Sequence, residues 1–184
     1  MNFYFKQKNK GFTLVELMVS VSIFSLVMVI CMGSIITVLD ANRKSQNMRA
    51  VMDNLNSSLE GMTRTIRFGT DYHCGTTGIL TQPLDCTNGG SSLTALSSGG
   101  VSTTYSLSGG RIIRNEGGNN YYVTSPNIVV QTLTFYVSGS APYPGDLMQP
   151  RVIVLVTGYS GSDLDTRSSF SLQTTMSQRK IDFQ

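Results

Sequence analysis

Residues 8–17 read Lys-Asn-Lys-Gly-Phe-Thr-Leu-Val-Glu-Leu, and from Leu17 to Leu39 the chain carries no charge. A basic leader with Lys6, Lys8 and Lys10 ends in Gly11, and a single carboxylate, Glu16, stands at the head of the apolar run. The 23 uncharged residues make a helix roughly 35 Å long at about 1.5 Å per residue, enough to cross a bilayer core. A buried helix of a soluble protein rarely lacks charge for so long. A secretory signal has a shorter apolar region, about 7–15 residues, and ends at a small-residue cleavage site, which does not follow here. The leader lysines hold the N-terminus in the cytoplasm and send the rest outward. A carboxylate in such a segment is expensive unless it lies at headgroup level or finds a partner.

The stretch Lys10-Gly11-Phe12-Thr13-Leu14-Val15-Glu16 resembles the type III signal of type IV pilins and type II secretion pseudopilins. The resemblance implies that a prepilin peptidase, which is also the N-methyltransferase, cuts between Gly11 and Phe12 and methylates Phe12. Glu16 then becomes the fifth residue of the mature chain. The cut exposes a positive amine one helical turn before Glu16. In a filament, Glu16 is expected to meet the amine of a neighbouring subunit. A pair of that kind in low dielectric sets axial register, because a misplaced subunit leaves an unpaired charge. One position departs from the family: many pilins carry a proline in the apolar segment where this chain has Gly33. Glycine costs about 1 kcal/mol in a helix and loosens it less than proline does.

The implied protein is a structural subunit of a type IV pilus or a type II secretion pseudopilus, not an enzyme. The expected partners are the peptidase, other pilin or pseudopilin subunits, the inner-membrane assembly platform and the membrane itself. The succession Tyr105-Ser-Leu, Arg111-Ile-Ile-Arg114, Leu133-Thr-Phe135 and Leu172-Gln-Thr-Thr-Met-Ser-Gln-Arg179 most resembles a minor prepilin, nearest to the J-type pseudopilin. A major pilin is the alternative within the class. The alternative of another class is an exported enzyme or binding domain that uses the helix as a tether, with no cut at Gly11 and an indifferent Glu16.

The sequence pI of 8.8 invites a nucleic-acid reading, but the leader supplies three of the 14 basic residues. The remaining 11 face 11 acidic ones. No cluster of Lys and Arg interleaved with aromatics remains, so phosphate binding is not indicated. Cys31 lies in the apolar run and reads as a small packing residue. Cys74 and Cys86 fall 12 positions apart in the exported part. An oxidising compartment favours a disulfide between them, and two free thiols are the other reading.

Beyond Asp40 the pattern turns amphipathic. Met48, Met52, Leu55, Leu59, Met62 and Ile66 form one helical stripe. No proline interrupts 12–68, so one helix over that span is expected, ended by Gly69. Glycine pairs at 89–90, 99–100, 109–110 and 117–118 read as turns of an antiparallel meander. Strands are expected at 101–107, 111–114, 121–123, 127–137, 151–157 and 169–177, with 138–150 as a loop. The stretch 151–157 is nearly all apolar and so expected at the sheet centre. The expected fold class is α+β, a long N-terminal helix packed on an antiparallel β-sheet; the order resembles the pilin fold, which implies a sheet of about four strands. The expected divisions are a leader at 1–11, a membrane or filament-core half at 12–39, an amphipathic half at 40–68 and a globular domain at 69–184.

No catalytic set emerges. His73, the only histidine, sits beside Cys74, but adjacent residues point apart, and the cysteine serves a disulfide better than a nucleophile pair. Asp163 and Asp165 lie in Ser-Asp-Leu-Asp-Thr at 162–166, and some pseudopilins bind calcium in a late loop. Two aspartates fall short of the six or more oxygen ligands that Ca²⁺ takes, so a hydrophilic turn is the simpler reading. No cofactor is implied.

Overall fold

One helix, α1 (Leu14–Phe68), runs through both compact units of the chain, Met1–Arg43 and Lys44–Gln184. The computed structural model describes residues 11–97, 99–161 and 167–181. In the first unit every described residue is exposed. Gly33 is helical and leaves α1 unbroken.

In the second unit α1 buries Val51, Leu55, Ser58, Met62 and Ile66. Met52 and Leu59 pack beside that line as half-buried neighbours. The stripe expected from apolar residues alone is therefore rotated slightly, because it skipped Ser58. That hydroxyl donates to the Val123 carbonyl (2.8 Å), so a polar residue can occupy the buried line without an unpaired group.

Among the described residues nine strands follow, in two antiparallel sheets where a single one was expected. The first has the order β1-β3-β4-β5-β6 and the second β2-β7-β8-β9. Strands β4 (Ser102–Ser108), β5 (Arg111–Glu116), β6 (Asn119–Tyr122), β7 (Ile128–Ser138), β8 (Arg151–Ser160) and β9 (Ser168–Ser177) match the six expected ones to within a few residues. Strands β1 (Thr70–Cys74), β2 (Cys86–Gly90) and β3 (Ser92–Leu96) were not expected. β3 is buried at Ser92, Leu93, Thr94 and Ala95 in succession, so it shows no alternation. β2 holds the glycines at 89–90, read above as a turn; it is a strand because it pairs with β7.

β8 lies between β7 and β9, and its Val152, Val154 and Val156 are fully buried. In β7 the burial changes phase. Ile128 and Val130 are buried, then Leu133, Phe135 and Val137. A bulge between Val130 and Thr132 inserts one residue opposite β8, which moves the buried set to the other parity. Gly158 pairs with Val130 at this point; any side chain there would overlap the Val129 carbonyl and the Phe170 ring. The Val130 N–H donates to the Gly110 carbonyl (2.8 Å), so the bulge also joins the two sheets.

The end of α1 is capped at two of its carbonyls. The orphan carbonyls of its last turn accept from the Gly69 N–H (at Ile66, 3.0 Å) and the Arg179 N–H (at Arg67, 2.8 Å). The Tyr72 hydroxyl lies 2.6 Å from the Ile66 carbonyl. Gly69 does end the helix, but by close approach rather than by a left-handed backbone: a Cβ there would sit 3.1 Å from the Leu96 carbonyl oxygen.

Candidate functional site

The start of α1 explains why the chain is not helical at Gly11 and Phe12. Thr13 is the N-cap. Its Oγ1 accepts from the Glu16 N–H (3.3 Å), and Glu16 Oε2 accepts from the Thr13 N–H (3.4 Å) and from the Thr13 hydroxyl (3.3 Å). This is a capping box, with two orphan donors satisfied reciprocally. The first helical bond runs from the Leu17 N–H to the Thr13 carbonyl (3.2 Å). Gly11 and Phe12 therefore stay outside the helix. Phe12 is 82% exposed, and among the described residues nothing lies within 4 Å of the Gly11 Cβ position. The Thr-x-x-Glu spacing at Thr13 and Glu16 is the sequence signal of this capping box.

The helix behind the cap suits lipid. By length and composition it can cross a membrane. The hydroxyls of Ser20, Ser22, Ser34 and Thr37 donate to carbonyls four residues back, at 2.8–3.1 Å. Hydroxyls bonded in this way need no water, which a bilayer core does not provide. Val29 is 72% exposed and Met32 69%, a level of apolar exposure that water penalises and lipid does not.

Cys74 and Cys86 are joined as a disulfide, with Cα atoms 5.8 Å apart. The bridge ties β1 of one sheet to β2 of the other. Cys31 is free and exposed. His73 does not face a nucleophile: both its ring nitrogens meet backbone carbonyls. Asp163 and Asp165 lie outside the described residues. Among the described residues, no group of three or more His, Cys, Asp or Glu side chains is placed to hold a metal ion. A cleft of about 300 Å³ beside β6 is lined by Asn54, Ser57, Tyr105, Arg114, Tyr121 and Tyr122, among others, with no His, Cys, Asp or Glu. Burial pushes the Tyr72 phenol well above its ordinary range. It raises Tyr105 too, where a hydrogen bond with Thr65 and the charge of Arg114 offset part of the effect.

Residues 6–32 match the family described as the prokaryotic N-terminal methylation motif. The match spans the basic stretch from Lys6, Gly11 and Phe12, the capping box and much of the apolar run, and it supports the type IV pilin-like class, whose members are structural subunits. The prepilin motif implies processing by a prepilin peptidase and assembly with other pilin subunits. The apolar helix and the motif together support a membrane anchor. No curated protein and no solved structure matches the chain.

Proposed function

We propose that this chain is a minor prepilin of a type IV pilus or a type II secretion pseudopilus, cut between Gly11 and Phe12, methylated on Phe12 and assembled through α1. The observation that carries the reading is the junction at Thr13. A non-helical, exposed Gly11–Phe12 dipeptide stands immediately before a capped helix whose first half exposes every apolar side chain. That is suitable geometry for a peptidase, and the exposed apolar surface suits first a membrane and then a filament core. The N-terminus faces the cytoplasm, the strand-rich unit is exported, and the assembly platform draws the subunit out of the inner membrane.

Glu16 has two candidate partners in this reading. In the uncut chain it closes the capping box. After the cut, an amine is born at Phe12, and a neighbouring subunit brings another. Two substitutions separate these roles. Glu16→Gln keeps the capping geometry and removes the charge, whereas Glu16→Ala removes both. Both variants are expected to stay in the membrane and to enter filaments at less than about a tenth of the wild-type level, since an uncompensated buried amine costs several kcal/mol. Filament incorporation is read by immunoblot of sheared filaments. Normal incorporation of Glu16→Gln would remove the charge pair from the account.

A further inference from the structure

His73 is 2% exposed, yet its ring nitrogens face only hydrogen-bond acceptors. Nδ1 lies 2.7 Å from the Gln82 carbonyl oxygen and Nε2 lies 2.9 Å from that of Thr77. A carbonyl oxygen cannot donate. A neutral imidazole has one N–H, so its second nitrogen would turn a lone pair on a carbonyl oxygen; the imidazolium donates to both. Thr77 and Gln82 belong to the loop 75–85 closed by the Cys74–Cys86 disulfide. This loop is also held at its near end by the Gly75 N–H on the Ser92 carbonyl, within it by the Gln82 N–H on the Ile79 carbonyl, and near its far end by Leu84 bonding to Cys74 and Tyr72. No ion pair to the ring occurs among the described residues. The Asp71 carboxylate on β1 accepts from the Thr70 hydroxyl. The Asp85 carboxylate in the loop accepts from the Gly139 and Ser140 N–H groups. β2, β3 and β7 carry no charged residue.

We propose that His73 is a pH-sensitive clamp on the disulfide-closed loop. The imidazolium holds the Thr77 and Gln82 carbonyls together on the acid side of its titration. Loss of the proton releases one carbonyl and loosens the segment that carries the exposed Ile79 and Leu80. The inference rests on the geometry of the strand-rich unit and not on the filament reading.

His73 is the only histidine, so its ring signals in the full chain are unambiguous. In detergent micelles, ring ¹⁵N shifts and amide exchange of residues 76–82 are followed together from about pH 5 to 8, the usual range of histidine. Exchange is corrected for its intrinsic pH dependence. The clamp predicts a doubly protonated ring at the acid end. As the ring loses its proton, protection of the segment should fall about fivefold, the worth of one hydrogen bond, while β8 stays protected. His73→Gln should leave the segment weakly protected at every pH. A ring that keeps one protonation state across the range would overturn the proposal, and so would loop protection indifferent to a ring that does titrate. If His73→Gln fails to fold, the wild-type titration decides alone.

Discussion

The two halves of α1 share one backbone geometry and differ in what surrounds them. In 14–43 every side chain is exposed, and the apolar ones are spread around the whole helix. In 44–68 one line of residues is buried to within a few per cent, and the charges of Arg49, Asp53, Glu60 and Arg64 lie off it. The second half is held by its own protein. The first half takes its stabilisation from a solvent that the protein must find, a bilayer or a bundle of like helices. One helix thus joins a half that the described protein leaves bare to a half that it buries, and substitutions should sort by half.

The largest contrast is expected from one leucine in each half. Leu55→Ala empties a fully buried site and should cost the strand-rich unit about 2–5 kcal/mol. Leu26→Ala, on a residue 63% exposed, should leave the urea midpoint of that unit unchanged. Equal effects would erase the distinction between the halves. Reduction of Cys74–Cys86 comes next. A loop of this size contributes about 3 kcal/mol, so the midpoint should fall on reduction, while Cys31→Ser changes nothing.

The smallest effect concerns Tyr72. Tyr72→Phe loses the bond to the Ile66 carbonyl, worth about 1 kcal/mol at neutral pH. It should also flatten the alkaline limb. Burial raises the folded phenol, so the folded state keeps a proton that the unfolded chain gives up near pH 10. That stabilisation is complete below about pH 10 and is lost as pH rises beyond it. Urea midpoints at neutral and alkaline pH give both numbers.

The long helix was legible because its signals are local. An uncharged run, a stripe and the absence of proline gave 12–68 against the observed Leu14–Phe68, and the capping box accounts for the difference at the start. The later strands were legible where side chains alternate, as in β9, whose Phe170 and Met176 share the buried face. What escaped depends on contacts distant in sequence. β2 is a strand because β7 is beside it, β3 is buried on both faces, and the change of phase in β7 comes from a bulge that the pattern of residues does not mark. The split into two sheets escaped for the same reason. The pairing of Cys74 with Cys86 was legible as one of two open readings. The environment of His73 was not, since Thr77 and Gln82 meet it only after the loop folds back.

If Gly11–Phe12 is the processing site proposed above, everything before Phe12 is removed. Mass spectrometry of the N-terminus, on protein purified from the membranes of cells that make a prepilin peptidase, tests it most directly. The expected chain begins at Phe12 and carries one added methyl group on its amine. A chain that keeps its leader, or begins elsewhere than Phe12, would contradict it and leave the helix as a tether.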